Sequence, residues 1–321
     1  MRVLVTGGAG YIGSILVARL IEKGYKVNVI DDLSTGHLKN IDPKAKVFFG
    51  SILNEDVLNA AMQDCEIVFH FAAKSIVSES VEIPDIYMNT NLNGTKKILQ
   101  LMKKNKISKI LVASTAAVYD GNTGRTLSEE SITAPGNPYG ESKLKADIEL
   151  SNFCDSEKIA GISLRFFNVS APYKSKSLGW ITEEHNPETH LIPNIISGGE
   201  SSNLVIYGND WETRDKTCVR DYLHIKDLTN ACILAINHFK ISQNQIFNLG
   251  STQGSSILEV IESYEIVFEN KINYKFSDRR HGDVATLVAN SKKITDQMGW
   301  TAQYGIQEIF EDYKMAIKQN D

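Results

Sequence analysis

Residues 3–14 read VLVTGGAGYIGS, and this stretch decides the fold. Its apolar start predicts a short buried strand, and the amphipathic residues 11–23 predict a helix. Between them the glycines have the spacing G-x-x-G-x-x-G, at Gly7, Gly10 and Gly13. Without side chains the backbone can turn tightly and approach a pyrophosphate, which the positive end of the following helix stabilises. Because the glycines stand at a strand-to-helix junction, they favour nucleotide binding over a merely tight turn.

The rest of the chain repeats the alternation of short β-branched runs with longer amphipathic stretches, which indicates βαβ units around a parallel sheet. The predicted strands cover residues 3–5, 27–30, 47–49, 67–71, 110–113, 162–166 and 245–249. The predicted helices cover residues 11–23, 54–63, 85–104, 138–159, 226–239, 256–269, 291–298 and 305–318. We therefore predict an α/β fold with a Rossmann-like, doubly wound parallel sheet.

Asp31 ends the second predicted strand. An acidic side chain at this point accepts hydrogen bonds from the hydroxyls of an adenosine ribose and repels a 2′-phosphate. The alternative is a carboxylate that only caps a turn, and Asp32 beside it can take that role. Together with the glycine motif, Asp31 favours NAD over NADP as the cofactor.

Composition and charge exclude several classes of function. The 321-residue chain has a formal net charge of -5, whereas nucleic-acid partners favour clustered Lys and Arg. No uncharged apolar stretch reaches transmembrane length, and the apolar start is cut at Thr6 before the h-region of a signal peptide can form. The cysteines lie far apart without zinc-ligand spacing, at Cys65, Cys154, Cys218 and Cys232. We therefore predict a cytoplasmic protein with no nucleic-acid partner, no membrane partner and no metal.

Residues 137–144 read NPYGESKL and place Tyr139 one helical turn before Lys143. A phenol that acts as a base at neutral pH needs its pKa lowered by roughly three units, or about 4 kcal/mol. One cation about 4 Å away, at an effective dielectric near 20, contributes about that much. Any solvated helix face with a Tyr four residues before a Lys shows the same pattern, so the pair alone leaves both interpretations open.

Thr115 follows the strand predicted at 110–113, at the carboxyl edge of the sheet where ligands bind in open α/β folds. Its hydroxyl is suited to hydrogen-bond the substrate oxygen whose proton Tyr139 takes. An isolated threonine at a strand end is more often structural. In combination with the glycine motif and the pair of Tyr139 and Lys143, Thr115 is predicted to act in catalysis.

With these motifs the chain resembles the extended short-chain dehydrogenase/reductase superfamily, and within it the UDP-glucose 4-epimerase family. The resemblance spans nearly the whole length and includes DDLS (31–34), FAAK (71–74), NTNLNGT (89–95), HLIP (190–193), VIYG (205–208), VRDYLH (219–224) and RRHGD (279–283). It implies NAD as cofactor, a UDP-sugar as substrate and a homodimer formed by the helices at 85–104 and 138–159. It also implies that Tyr139 is the base, Lys143 its electrostatic partner and Thr115 the hydroxyl helper.

The resemblance assigns NAD contacts to residues along the first half of the chain. They are Gly7, Gly10, Tyr11, Ile12, Gly13, Asp31, Asp32, Leu33, Ser34, Ser51, Ile52, Phe71, Ala72, Ala73, Lys74, Asn91, Thr115, Tyr139, Lys143 and Phe167. Ser51 departs from the family pattern, because an aspartate commonly stands there and contacts the adenine amino group. Adenine recognition is therefore expected to differ at this position.

The substrate contacts implied by the resemblance lie mostly in the second half of the chain. They are Lys74, Thr115, Tyr139, Asn168, His190, Leu191, Val205, Ile206, Tyr207, Arg220, Tyr222, Arg280, Asp283 and Leu287. The two arginines suit bidentate contacts with a diphosphate, although Arg220 beside Asp221 and Arg280 near Asp278 also fit surface ion pairs. Asp283 suits sugar or ribose hydroxyls, and Tyr207 suits the base pocket. Leu287 is of intermediate size, which leaves acetylated sugars open.

Ala116 and Ala117 follow Thr115 where the related dehydratases have an Asp-Glu pair and the related decarboxylases keep a glutamate. Without an acid or base for elimination, oxidation is expected to end in return of the hydride. We therefore predict an NAD-dependent epimerase that inverts C4 of a UDP-hexose. Epimerases of UDP-N-acetylhexosamines or UDP-uronates, a nucleotide-sugar dehydrogenase or reductase, a dehydrogenase of small alcohols and an idle NAD-binding protein remain alternatives.

After Asn168 the periodicity loosens into a long irregular stretch up to Asn203, which is typical of binding loops. The strand predicted at 245–249 then returns to the parallel sheet. We predict an NAD-binding Rossmann domain formed by residues 1–167 and 222–250. Residues 168–221 and 251–321 are predicted to form a smaller, C-terminal lobe that binds the nucleotide sugar.

Overall fold

The structure is a computed structural model that describes residues 1–121, 126–184, 188–199, 204–280 and 282–319. Its strands are β1 (Arg2–Thr6), β2 (Lys26–Asp31), β3 (Lys46–Phe49), β4 (Ile67–His70), β5 (Lys109–Thr115), β6 (Ala160–Phe166), β7 (Asn168–Ser170), β8 (Tyr173–Ser175), β9 (Gly179–Ile181), β10 (Leu204–Tyr207), β11 (Val219–His224), β12 (Gln243–Leu249), β13 (Gly254–Ser256), β14 (Tyr274–Ser277) and β15 (Thr286–Leu287). Its α-helices are α1 (Tyr11–Glu22), α2 (Glu55–Met62), α3 (Val77–Glu82), α4 (Pro84–Tyr87), α5 (Gly94–Lys104), α6 (Pro138–Glu157), α7 (Leu191–Gly198), α8 (Ile225–Ala235), α9 (Ile257–Phe268), α10 (Lys292–Met298) and α11 (Ile306–Lys318).

The central sheet confirms the predicted α/β fold. Its seven strands have the order β12-β6-β5-β4-β1-β2-β3, and neighbouring strands are parallel. The chain moves outward from β1 in one direction through β2 and β3, and in the other through β4, β5, β6 and β12. The order reverses between β1 and β4, and ligands of doubly wound sheets bind at the carboxyl ends of the strands at such a point.

Alternate side chains of β1 explain why helices cover both faces of the sheet. Val3 and Val5 pack into one core with Leu16 of α1, while Leu4 packs into a second core with Leu58 of α2. Successive side chains of a strand point to opposite faces, so a run without polar residues needs cover on both sides. Within the described residues, no helix is both long enough and apolar enough to cross a membrane.

The helix predicted at 85–104 is not continuous. A π-helical turn over Met88–Asn93 separates α4 from α5. In this turn the buried Asn91 bonds both backbone groups of Lys74, since its Oδ1 accepts from the Lys74 amide at 2.8 Å and its Nδ2 donates to the Lys74 carbonyl at 3.0 Å. The Thr95 hydroxyl donates to the Asn91 carbonyl at 2.6 Å. π-Helical turns are frequent at functional sites. Here the turn directs the side chain of Asn91 inward, which regular helical periodicity does not predict.

The stretch predicted to be irregular after Asn168 contains short elements. β8 and β9 form an antiparallel pair, and β7 pairs with β11, which contains the VRDYLH motif. β11 also pairs with β13 and β15, and β10 pairs with β14. Apart from the neighbouring β8 and β9, the pairing partners lie far apart in the sequence and leave no local pattern, which is why these strands were not predicted. The proposed division into two domains stays a prediction.

Candidate active site

A cavity of about 590 Å³ opens at the carboxyl edge of the central sheet. It brings together most of the predicted site residues. Those that line it are Gly7, Gly10, Tyr11, Ile12, Gly13, Asp31, Asp32, Ser34, Ser51, Ile52, Phe71, Ala72, Ala73, Lys74, Thr115, Tyr139, Lys143, Phe167, Asn168, His190, Leu191, Tyr222 and Leu287. Of the predicted cofactor contacts, Leu33 and Asn91 do not line it, and Asn91 instead holds the backbone of Lys74.

The glycine segment forms a cradle at one end of this cavity. Gly7 has a φ of +71°, and a Cβ there would lie 2.6 Å from the amide nitrogen of Ala72. A Cβ at Gly13 would lie 2.0 Å from the Gly7 carbonyl oxygen, so neither position accepts a side chain. Helix α1 begins at Tyr11 directly after this turn, and no side chain caps it. Its first backbone N–H groups are therefore placed to bind a phosphate.

Asp31 stands at the end of β2, in the wall beside the cradle. Its Oδ2 accepts from the amide of Ala9 at 2.9 Å, and its Oδ1 accepts from the amide of Leu33 at 2.8 Å. Burial raises the pKa of Asp31, while these two hydrogen bonds lower it. Each carboxylate oxygen has a second lone pair, so the bonds fix the carboxylate without using its capacity to accept from ribose hydroxyls.

Thr115, Tyr139 and Lys143 line the same cavity. Helix α6 begins with Pro138 in its first turn and is capped by Asn137, whose Oδ1 accepts from the amide of Gly140 at 2.9 Å. This start places Tyr139 beside the end of β5, where the Thr115 side chain acts to lower the pKa of Tyr139. Because the Thr115 Oγ1 also accepts from the Ala117 amide at 3.2 Å, the Thr115 proton is free to be donated to the phenol oxygen.

Burial decides the protonation of both catalytic candidates on α6. It raises the pKa of Tyr139, and the hydrogen bond with Thr115 opposes this effect. It lowers the pKa of Lys143 to about 8, and the charge of Asp147 opposes that effect. The expectation of a lowered Tyr139 pKa is therefore wrong for the chain by itself, because the cost of burying a phenolate exceeds what one neighbouring group returns.

The lowered pKa of Lys143 predicts a pH-dependent stability that Lys143→Met removes. Between pH 8 and 10.5 the unfolded chain binds a proton that the folded chain has released, so the stability of the wild type rises with pH. Relative to the variant, its free energy of unfolding should rise by about 3 kcal/mol from about pH 7 to about pH 10.5. Urea denaturation at both pH values measures the change. Lys145→Met, at an exposed position, is the control, and parallel pH curves for Lys143→Met and the wild type would contradict the prediction.

The comparisons with known proteins agree with the fold and the site described above. The family model of the NAD dependent epimerase/dehydratase family matches residues 3–250. The chain belongs to this family. It is 40% identical over 309 residues to the UDP-glucose 4-epimerase of Lactobacillus helveticus, covering 95% of this chain and 93% of that protein. It is 38% identical over 317 residues to the UDP-glucose 4-epimerase of Corynebacterium glutamicum, covering 97% of this chain and 94% of that protein.

Solved structures agree with the family assignment. The UDP-glucose 4-epimerase from Bifidobacterium longum, in complex with NAD+ and UDP, superposes with a TM-score of 0.90 and 31% sequence identity. The alignment covers 100% of this chain and 99% of that one. This member of the epimerase/dehydratase family therefore shares its fold over the whole length with an enzyme that binds a dinucleotide and a uridine nucleotide.

Six predicted substrate contacts of this family member form a late cluster next to the cavity rather than in its wall. The predicted substrate contacts that do not line the cavity are Val205, Ile206, Tyr207, Arg220, Arg280 and Asp283. The Arg280 guanidinium lies 3.8 Å from the centroid of the Tyr207 ring, and the Arg220 Nη2 lies 3.4 Å from the Asp283 Oδ1. β11 and β15 connect the cluster to the cavity, which Tyr222 and Leu287 line. His281 of the RRHGD motif lies outside the described residues.

Among the described residues, Arg220 and Arg280 do not pair with Asp221 and Asp278, their acidic neighbours in the sequence. Arg220 donates from Nη1 to the Val284 carbonyl at 2.8 Å in addition to its contact with Asp283. Asp221 is fully buried and accepts from the amides of Ser251 at 2.7 Å and Ala289 at 3.1 Å. Asp221 is therefore a structural residue, and the substrate role of Arg220 stays a prediction.

The structure also places two acidic groups that the sequence did not single out. Glu183 lines the cavity, and its Oε1 lies 3.1 Å from the His190 Nδ1; the hydrogen bond with Glu183 is the largest cause that raises the pKa of His190. Asp147 is buried behind Lys143. Glu183 lies in the stretch predicted to be irregular and had no detectable signal, whereas Asp147 continues the four-residue spacing from Tyr139 to Lys143.

Proposed function

We propose that the chain is an NAD-dependent epimerase that inverts C4 of a UDP-hexose, interconverting UDP-glucose and UDP-galactose through a 4-keto intermediate. The observation that carries the proposal is the group of Thr115, Tyr139 and Lys143, with Ala116 and Ala117 beside it in the same cavity. The cavity has a phenol to exchange a proton with a hydroxyl, and alanines where elimination would need an acid and a base. Relatives of nearly equal length carry the name UDP-glucose 4-epimerase.

The cradle and Asp31 fit NAD. Gly7 and Gly13 permit this tight turn only because they lack a Cβ, and the uncapped start of α1 directly after the turn is placed to bind a pyrophosphate. Asp31 is positioned to accept from the adenosine ribose, and its charge disfavours the 2′-phosphate of NADP. NAD bound by these residues would supply the hydride acceptor for C4 of the sugar and, once reduced, the hydride donor.

Thr115, Tyr139 and Lys143 handle the proton. In its phenolate form, stabilised by the Lys143 ammonium, Tyr139 takes the proton of the sugar 4-hydroxyl as C4 is oxidised and becomes the neutral phenol. The Thr115 hydroxyl orients the reacting oxygen. After the keto sugar has turned to present its other face, Tyr139 returns the proton to the same oxygen. The configuration at C4 is then inverted, and no net oxidation results.

The nucleotide part of the substrate is proposed to bind at the late cluster. Arg220 and Arg280 supply cations for the diphosphate, Asp283 accepts from hydroxyls, and the Tyr207 ring lines the base pocket. In the structure these groups are paired with one another, so the substrate would replace the contact of Arg280 with the Tyr207 ring and the contact of Arg220 with Asp283. Leu287 at the cavity wall limits the size of the group on the sugar.

A product assay tests the proposed function. We expect the purified protein to convert UDP-galactose into UDP-glucose with NAD far below the substrate concentration, because the hydride is returned in each cycle. Chromatography of the nucleotide sugars and absorbance of NADH measure both quantities. NADH formed in proportion to product would indicate a dehydrogenase, and a stable keto sugar would indicate elimination. UDP-N-acetylhexosamines and UDP-uronates in the same assay define the sugar.

We also propose a homodimer that works in a reducing compartment such as the cytoplasm. Apolar side chains that are exposed on neighbouring helices support the dimer, with Val81 of α3 64% exposed, Ile86 of α4 46% exposed and Ile148 of α6 52% exposed. The unpaired state of the four cysteines fits a reducing compartment. Analytical ultracentrifugation should give twice the chain mass, and a species of 35.7 kDa would contradict the dimer.

A further inference from the structure

The buried face of α6 carries a third polar side chain that the proposed mechanism does not use. Asp147 follows Lys143 by four residues, as Lys143 follows Tyr139, so all three project from the same face of the helix. Asp147 is 2% exposed and Lys143 is 5% exposed. Aspartates are almost never buried this deeply unless they are paired. The partners of Asp147 therefore decide what this charge does.

Residues of two strands, β5 and β6, donate hydrogen bonds to the Asp147 carboxylate. The Arg165 Nε of β6 donates to its Oδ2 at 3.0 Å, and the Ser114 hydroxyl of β5 donates to the same oxygen at 2.9 Å. Arg165 is itself buried, and its Nη1 donates to the Tyr119 hydroxyl at 3.0 Å. Ser114 directly precedes Thr115. One carboxylate thus connects the helix of Tyr139 and Lys143 to the strand that carries the hydroxyl helper.

The other carboxylate oxygen is left without a hydrogen bond. Among the described residues, the buried Asp147 Oδ1 has no hydrogen-bond partner. A buried ion pair is seldom more stable than an apolar pair of the same volume, and an unsatisfied buried acceptor costs further stability. Stability alone therefore does not explain this pair. A fixed negative charge one helical turn from Lys143 does have a use, because the ammonium itself lies in a site that disfavours charge.

We propose that Asp147, fixed by Arg165 and Ser114, is a positioning residue whose negative charge keeps Lys143 in its ammonium form beside Tyr139. The inference rests on the proposed function for the role of Lys143, and it adds a residue to that site. Burial lowers the pKa of Lys143 to about 8, and Asp147 is the group that opposes this shift. Without the carboxylate, Lys143 would lose its proton closer to neutral pH, and the phenol would lose its cationic partner.

The other titratable groups that face Lys143 are neutral at pH 7. His70 of β4 has its pKa lowered to about 3 by burial and by Lys143, and its ring nitrogens lie 2.8 Å from the Thr6 hydroxyl and 3.0 Å from the Thr95 hydroxyl. Burial raises the pKa of Tyr139. Behind Asp147, burial raises the pKa of Tyr119 as well. Among the described residues, the charge acting on Lys143 is therefore the anion of Asp147, with which the cation of Arg165 is paired.

These two charges have opposite signs, which gives a test that a merely structural role would not pass. We expect Asp147→Asn to lower the pKa of Lys143 by about one unit and Arg165→Met to raise it. The NAD-loaded protein, labelled with ¹³C at the lysine ε-carbons, is titrated by NMR, and Lys143→Arg assigns the signal. The alkaline limb of the pH profile of kcat for UDP-galactose should move in the same direction in each variant. A loss of packing would move both variants the same way.

Glu141→Gln is the matched control. Glu141 lies two residues before Lys143 on α6, but its side chain is 49% exposed and pairs with Lys145 at 2.7 Å. Solvent screens such a charge, so the pKa of Lys143 should not change. If Asp147→Asn fails to fold, the double variant Asp147→Asn with Arg165→Met leaves neither charge unpaired, and the pKa of Lys143 in it should lie below that in Arg165→Met.

The outcomes separate the inference from the proposed function. A Lys143 pKa that is unchanged in Asp147→Asn, or that moves in the same direction in both single variants, would overturn the positioning role. The titration needs no turnover. A wild type that does not convert UDP-galactose would therefore contradict the proposed function. Even then, opposite shifts of the Lys143 pKa in the two variants would establish the electrostatic link between Asp147 and Lys143.

Discussion

Tyr139→Phe should lower kcat for the conversion of UDP-galactose into UDP-glucose by roughly a thousandfold, the effect expected for loss of a positioned acid-base group. The variant lacks the oxygen that takes and returns the proton of the 4-hydroxyl. It keeps the ring, which lies in an edge-to-face contact with Tyr87 at 6.4 Å between centroids, so the fold should hold. NAD affinity should change little, because the substitution leaves the glycine cradle and Asp31 intact. Steady-state kinetics and NAD titration by calorimetry measure the two effects.

Tyr87→Phe is the control for this experiment. Tyr87 is fully buried, and two acceptors lie within reach of its single hydroxyl proton, the Ile76 carbonyl at 2.7 Å and the Glu79 carboxylate at 2.6 Å. Tyr87→Phe removes a phenol hydroxyl next to Tyr139 but leaves the proposed proton acceptor in place. We expect about 1 kcal/mol less stability and a rate close to that of the wild type. A Tyr139→Phe protein that retained the wild-type kcat would show that Tyr139 is not the base.

Gly140→Ala should lower both the stability and kcat, although alanine favours helices over glycine by about 1 kcal/mol. A Cβ at position 140 would lie 2.2 Å from the Ala117 carbonyl oxygen and 3.0 Å from its carbonyl carbon. Because backbone atoms cannot yield as a flexible side chain can, α6 must move away from the 3-10 turn Ala116–Val118. Overpacking of this kind costs about 1–3 kcal/mol, and a shift of about 1 Å between reacting groups costs about a hundredfold in rate.

Gly136→Ala is the matched control for Gly140→Ala. Gly136 lies four residues earlier, and a Cβ there meets nothing within 4 Å. Its stability should stay within about 0.5 kcal/mol of the wild type, with full activity. Urea denaturation and the UDP-galactose assay apply to both variants. If Gly140→Ala matched the wild type in stability and rate, the distance between Tyr139 and Thr115 would not depend on the close approach of α6 to this turn.

Much of the fold and part of the site could be predicted because their signals are local. The glycine spacing after β1 predicted both the strand-to-helix turn and a nucleotide cradle, and the structure places these residues in the cavity wall. Each strand of the central sheet overlaps a predicted β-branched run. The spacing of Tyr139 and Lys143 placed both on one helix face, and both line the cavity. These features depend on residues within a few positions of one another.

The rest could not be predicted because it depends on burial and on distant partners. The pKa of Tyr139 is raised because α6 is packed into the protein, which no spacing reveals. Arg220 pairs with Asp283 rather than with the adjacent Asp221, because β11 runs between β13 and β15. Asn91 turns inward through a π-helical turn that helical periodicity does not predict.

The sequence by itself determined the α/β class, the cradle that suits NAD, and the residue types that exchange a proton at a hydroxyl. Glycine conformations, helix spacing and the apolar character of a strand are properties of a short segment in any surroundings. Only the tertiary structure decided how these groups are charged and held. The carboxylate of Asp147 faces Arg165 from another element, and Tyr139 meets Thr115 only across the junction of α6 and β5. Electrostatic energies depend on distance and burial in the folded state, and the order of residues along the chain specifies neither directly.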